Sequence, residues 1–180
     1  MKVIPTSISD LLILEPKVYG DERGFFLETF NEKTMVSLGI REHFVQDNQS
    51  YSVANVLRGL HYQIKQPQGK LVRVVVGEIF DVGVDLRKSS PTFGKWDGAL
   101  LSAENKRMLW IPPGFGHGFS VLSAHAHVLY KTTDFYSPQH ERTILWNDPT
   151  LNIDWKIEGD PVVSAKDRDG KLFTEAELFE

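Results

Sequence analysis

Residues 71–86 constrain the fold more than any other part of this chain. Leu71-Val72-Arg73-Val74-Val75-Val76 is mostly β-branched and ends at Gly77, and Glu78-Ile79-Phe80-Asp81-Val82-Gly83-Val84-Asp85-Leu86 then mixes apolar and polar residues at nearly period two. β-Branched side chains are stiff in a helix and pack well on a pleated surface, so both runs predict strands. Further short extended runs cover residues 25–30, 53–63, 108–111, 118–122, 128–133 and 143–146. Turn signals separate them, among them Tyr19-Gly20-Asp21, Gln66-Pro67-Gln68-Gly69, Pro112-Pro113-Gly114 and Asn147-Asp148-Pro149. Helical signals are sparse. Residues 31–39 start on Asn31 as a candidate N-cap and stop at Gly39, and residues 174–179 start like a capping box. Many short strands between frequent turns predict a mainly β fold, a sandwich or barrel of jelly-roll type with a few short helices. No linker or internal repeat divides the chain, so residues 1–180 are expected to form one domain.

Charge and composition exclude several functions. Twenty Lys and Arg stand against 24 Asp and Glu, a net charge of −4, which argues against nucleic-acid or membrane binding through bulk charge. With no Cys there is no disulfide, thiolate-bound zinc, iron–sulfur cluster or cysteine nucleophile. The start, MKVIPTSISD, lacks the features of a signal peptide, and apolar runs fall far short of the ~20 residues that span a bilayer; a cytoplasmic location is expected. Eleven Phe, five Tyr and four Trp suffice for a core with rings left over for a binding surface. GxGxxG, Walker-A, GxSxG and HExxH motifs are absent.

A jelly roll encloses a cavity, so polar residues on strands become the candidates. In Leu57-Arg58-Gly59-Leu60-His61-Tyr62-Gln63, regular alternation puts Arg58, Leu60 and Tyr62 on one face and His61 on the other. His61 is then either satisfied in a core or turned into a cavity. Lys70 starts the next strand after a Pro/Gly loop; two strands joined by that loop would be neighbours, bringing imidazole and ammonium to one end. His117 sits among glycines in a tight Pro/Gly segment, as a ligand contact or an incidental turn residue. Tyr130 is a strand tyrosine, packed or functional, and Asp167 lies in a charged cluster that is a solvated loop or a source of a carboxylate to orient a histidine. His125 and His127 could point two imidazoles to one face, but no downstream strand His completes a metal set, so no metal site is expected and the pair reads as surface. This His/Asp/Lys/Tyr inventory suits proton transfer.

Seven ordered blocks carry a resemblance over nearly the whole chain: Asp21-Glu22-Arg23-Gly24-Phe25-Phe26, Gln46-Asp47-Asn48-Gln49-Ser50, Arg58-Gly59-Leu60-His61-Tyr62-Gln63, Gln68-Gly69-Lys70-Leu71-Val72-Arg73, Ile111 through Phe119, Leu129-Tyr130-Lys131 and Leu145-Trp146-Asn147-Asp148-Pro149. In these the chain resembles the dTDP-4-dehydrorhamnose 3,5-epimerase family. The resemblance implies a cupin-type jelly roll, a homodimer, no metal or organic cofactor, and inversion at C3 and C5 of a dTDP-4-keto-6-deoxy sugar. It implies His61 as base, Tyr130 as acid, Lys70 beside the C4 oxygen and Asp167 paired with the histidine. It further implies that Arg23, Glu28, Gln46, Asp47, Asn48, Arg58, His117, Glu141 and Lys166 hold nucleotide and sugar, with the segment around Arg23 reaching a neighbouring subunit. Phe26 and Tyr136 are expected as aromatic walls of the site. Related enzymes invert one carbon only, and a metal-dependent cupin or a non-catalytic sugar-nucleotide binder would be the remaining alternatives.

Overall fold

The computed structural model describes residues 1–180. Its strands are β1 (Lys2–Pro5), β2 (Leu12–Glu15), β3 (Val18–Asp21), β4 (Gly24–Leu27), β5 (Gln46–Val53), β6 (Leu57–Gln63), β7 (Lys70–Val76), β8 (Glu78–Asp85), β9 (Trp96–Ser102), β10 (Met108–Ile111), β11 (Phe115–Val121), β12 (His125–Thr132) and β13 (Glu141–Thr143). One six-stranded sheet runs β1-β2-β10-β7-β12-β5 and faces a five-stranded sheet, β13-β6-β11-β8-β9, with β3 and β4 as a separate hairpin. All these pairings are antiparallel. The expected mainly β jelly-roll sandwich is the observed one. No helix is long and apolar enough to cross a membrane.

The mixed pattern of residues 78–86 has a packing reason. Ile79 joins the inter-sheet core with Val72, Val74, Leu109, Phe119 and Val128. Phe80, Val82, Val84 and Leu86 point the other way, into a second cluster sealed by Ile144, Leu151, Trp155 and Phe173 from the C-terminal segment. Both faces of β8 are therefore covered, and each fully buried aliphatic side chain there stabilises the fold by about 1.5–3 kcal/mol. The C-terminal segment thus packs on the outside of the five-stranded sheet, which is how Asp167 comes to lie behind a strand more than 100 positions earlier.

Helix α1 (Glu32–Ser37) forms where expected, with the Asn31 side chain accepting from the Lys33 and Thr34 amides. Other boundaries differ. Residues 53–63 are not one run: the chain turns at Asn55, which takes φ 60°, and β5 and β6 belong to opposite sheets. The strand expected over 25–30 ends at Leu27, the one over 118–122 starts at Phe115, and the one over 143–146 is Glu141–Thr143 followed by an isolated bridge from Ile144 to Lys171. Residues 174–179 do not form a helix beyond a single 3₁₀ turn, Phe173–Glu175, because Phe173 is drawn into the second cluster and Phe179 bridges to Arg87. A short helix missed by the pattern, α2 (Ala165–Arg168), is capped by Ser164. The strands bearing His61 and Lys70 are not paired neighbours either; β6 and β7 face one another across the sandwich, so the two side chains meet from opposite sheets.

A bulge sets the phase of β6. Arg58 pairs with Phe119 and His61 with His117, so Gly59 and Leu60 together oppose Gly118. Leu57, Leu60 and Tyr62 pack in the outer cluster, leaving Arg58 and His61 on the same inner face rather than on opposite ones. Gly59 has φ +122°, and a Cβ there would lie 2.5 Å from Gly118 Cα and 2.7 Å from the His117 carbonyl oxygen. Gly59→Ala should therefore destabilise the protein by at least about 2 kcal/mol through strain and backbone displacement. Denaturant unfolding checks this; a change within about 0.5 kcal/mol, the range of an inert surface substitution, would contradict the assignment of the bulge.

Candidate active site

Between the two sheets lies a cavity of about 390 Å³. Its walls come from β5 (Gln46, Asn48, Ser50), β6 (Arg58, His61, Gln63), β7 (Lys70), β11 (His117, Phe119), β12 (Tyr130), β13 (Glu141) and α2 (Lys166), with Gln68 and Tyr136 from loops. The sandwich places His61 on the five-stranded sheet and Tyr130 on the six-stranded one, so they address the cavity from opposite walls.

His61 Nε2 lies 2.5 Å from Asp167 Oδ1. Asp167 is buried, and its other oxygen accepts from Ser164 Oγ at 2.7 Å while the Gly59 amide approaches Oδ1 at 3.4 Å. Burial would raise this carboxyl, but the hydrogen bonds from His61, Ser164 and Gly59 outweigh it and hold the group below the usual carboxylate value. A carboxylate can only accept, so Nε2 carries the proton and Nδ1 keeps the lone pair. Nδ1 forms no hydrogen bond within the protein, which leaves it free to take a proton.

Lys70 opens β7 with 9% of its surface exposed, and its ammonium has no hydrogen-bonding partner in the protein. Burial pushes its ammonium down to about 8, against the pull of Asp81 and Glu141 and with Lys166 adding to the fall. Burial likewise raises the Tyr130 hydroxyl, opposed by Arg58 and reinforced by Glu141 and Tyr136, so it remains protonated as an acid must. His117 is buried and its Nε2 lies 2.7 Å from Asp81 Oδ1. Burial holds this imidazole below its ordinary value despite Asp81, with Lys70 and His61 adding to the depression, so it stays neutral.

Glu141 ties the remaining wall together: Lys166 Nζ donates to one oxygen at 2.8 Å and the Tyr136 hydroxyl to the other at 3.1 Å. Burial would raise Glu141, but the hydrogen bond and charge of Lys166, the nearby His61 imidazole and the Tyr136 hydroxyl hold it low. Gln46 accepts from the Tyr136 amide at 3.2 Å and donates to Asn48 at 2.9 Å. Arg58 donates to Ser52 Oγ at 3.0 Å and to the Tyr51 carbonyl at 3.1 Å.

Four residues of the expected set lie away from this cavity within one chain. Arg23 is exposed at the β3–β4 turn and pairs with Asp21 at 2.5 Å; Phe26 on β4 is 70% exposed. Glu28 accepts from Asn31 and Thr34, and Asp47 pairs with Lys131 on the outer side of the sheet. His125 and His127 stand beside Tyr51 on that outer side, and no group of three or more His, Asp or Glu is placed to hold a metal ion. Sequence reasoning missed Asp81, Ser50, Gln63 and Gln68. Only Asp81 left a signal, a charge amid the apolar residues of residues 79–84.

The arrangement offers a base on one wall, an acid on the other, a buried cation, and further cations in Arg58 and Lys166 suited to an anionic ligand. Residues 5–175 match the family model for dTDP-4-dehydrorhamnose 3,5-epimerase. A relative of that description from Shigella flexneri is 60% identical over 181 residues, covering 99% of each chain. The solved structure of dTDP-6-deoxy-D-glucose-3,5-epimerase from Legionella pneumophila, in complex with dTDP-4-keto-L-rhamnose, superposes with a TM-score of 0.95 at 55% identity, over 98% of this chain and 94% of that one. A 3′-monoepimerase from Streptomyces bikiniensis in complex with dTDP-quinovose gives a TM-score of 0.87 at 31% identity, over 94% and 87%.

Proposed function

This chain belongs to the dTDP-4-dehydrorhamnose 3,5-epimerase family, and from that premise we propose how its cavity carries out the reaction. The sandwich is the cupin-type jelly roll of that family. The activity is inversion of C3 and C5 in dTDP-4-dehydro-6-deoxy-D-glucose to give dTDP-4-dehydro-L-rhamnose. The observation that carries the residue roles is the placement of His61, backed by Asp167, and of Tyr130 on opposite walls of the cavity that holds Lys70.

Both C3 and C5 flank the C4 ketone, so a proton lost from either carbon leaves an enolate with its charge on the C4 oxygen. His61 Nδ1 takes that proton, and Asp167 stabilises the imidazolium through Nε2–H. Lys70 supplies positive charge to the enolate oxygen in a buried setting, where such an interaction is strongest. The planar carbon then receives a proton from Tyr130 on the opposite face, and the configuration is inverted. His61 then releases its proton to solvent and Tyr130 regains one, and the same two transfers at the second carbon complete the reaction. Arg58 and Lys166 hold the diphosphate, Gln46 and Asn48 offer hydrogen bonds to the sugar or nucleoside, and the Tyr136 ring offers a flat face to the base. Glu141 positions Lys166 and Tyr136 for this, and His117 is a further contact for the sugar.

The working form is a homodimer. Hairpin β3–β4 exposes Val18, Tyr19, Phe25 and Phe26, and the six-stranded sheet exposes Tyr51, Val53, Val75 and Val76, apolar side chains of the kind that a protein–protein interface covers. A second copy covers this surface, and Arg23 and Phe26, remote from their own cavity, complete that of the partner along with Glu28.

Substrate incubated in D2O with the protein should acquire deuterium at C3 and C5. His61→Ala should lower that exchange by about 10²–10⁴-fold and Lys70→Ala by about 10²–10³-fold, with dTDP binding kept. Exchange at the parental rate in His61→Ala would remove His61 as the base. Mixing refolded His61→Ala and Arg23→Ala chains in equal amounts should restore about a quarter of the parental site activity, because half the dimers are hybrid and each carries one complete site. Recovery no greater than the two variants show alone would contradict the shared site.

A further inference from the structure

We propose that Asp81 is a positioning residue for this reaction: its buried carboxylate keeps the Lys70 side chain in its ammonium form inside the cavity. The inference deepens the role given to Lys70 above and rests on it.

Asp81 is fully buried on β8, on the face turned toward the six-stranded sheet. One of its oxygens, Oδ1, takes the His117 contact at 2.7 Å. The other, Oδ2, is buried and has no hydrogen-bonding partner in the protein. A carboxylate removed from water is costly without a counter-charge. His117 does not supply one, because burial keeps that imidazole neutral.

Asp81 on β8, Glu141 on β13 and Lys166 on α2 act on Lys70, and His117 on β11, Arg58, His61 and Tyr62 on β6, Tyr130 on β12 and Tyr136 line the same cavity. The other two carboxylates of the site are already committed. Glu141 is bound to Lys166, and Asp167 to His61. Asp81 is left without a cation and Lys70 without an anion, both buried, reaching inward from opposite sheets. Asp81 is also the strongest upward pull on Lys70, ahead of Glu141. His117 acts as a peg in this arrangement. By occupying Oδ1 with a neutral donor it fixes the carboxylate without neutralising it.

With Asp81 present, Lys70 holds its proton up to a pH of about 8. Remove the negative charge and burial acts with less opposition, so the ammonium is lost at lower pH and the enolate oxygen meets a neutral amine.

The test uses protein labelled with ¹³C at lysine Cε, in the absence of substrate. The signal that disappears in Lys70→Arg is assigned to Lys70 and should titrate near pH 8. In Asp81→Asn its midpoint should fall by about one unit or more, and the alkaline limb of kcat/KM for solvent exchange should move down by the same amount. Asp81→Ser repeats the measurement if the Asn variant does not fold. A Lys70 midpoint unchanged in the folded variant overturns the proposal, including the case where activity drops equally at every pH, as a purely structural role would produce. A midpoint that falls while the alkaline limb stays in place supports the pairing and instead removes Lys70 as the group facing the enolate.

Discussion

The site hangs on one hydrogen bond, between His61 and Asp167. It joins β6 of the five-stranded sheet to α2 in the C-terminal segment, 106 positions along the chain. The C-terminal segment is present on that side because the outer faces of β6 and β8 carry Leu57, Leu60, Phe80, Val82 and Val84, which must be covered. Packing therefore brings the carboxylate to the histidine, and the hydrogen bond then sets which ring nitrogen is left to accept a proton. Apolar burial on one face of the sheet and proton transfer on the other are consequences of the same docking.

Charge placement in the cavity follows a common logic. Asp167 with His61, Glu141 with Lys166 and Asp81 near Lys70 put each carboxylate close to a group that can be positive. The three serve different ends. The first gives a base with a defined tautomer, the second braces a cation that suits a diphosphate, and the third keeps a deeply buried amine charged. Tyr130, raised by burial, stays protonated and opposes the base across the cavity. An epimerisation beside a ketone needs these elements and draws its activation from the carbonyl itself.

Much of the fold was legible because its signals are local. The β-branched run at residues 71–76, the Asn31 cap and the Pro/Gly turns act through backbone preference, and each appears in the structure. The break at Asn55 was passed over because a single Asn, a residue that tolerates the left-handed φ it adopts here, stands without a neighbouring Gly or Pro to mark a turn. The β6 bulge escaped for a related reason: Gly59 is needed because Gly118 lies against it, and that contact belongs to the tertiary structure. The assumption that His61 and Lys70 sit on paired strands was wrong in topology and right in outcome, as facing sheets also bring two side chains to one cavity. His61, Lys70, His117 and Tyr130 were singled out by residue type and strand context, with their roles implied by the resemblance, and all four line one cavity. Asp81 was passed over because its partners lie on β11 and on the opposite sheet.

The mechanism requires one group to remove a proton from one face of the sugar and a different group to return one to the other. Tyr130→Phe in D2O separates these halves, with deuterium content and ring configuration read together by NMR. With this mechanism, deuterium still enters beside the ketone, because His61 can take and return a proton on its own face, while inverted product is lost by about 10²-fold or more. Inversion at the parental rate in that variant, or loss of exchange and inversion in equal measure, would contradict it.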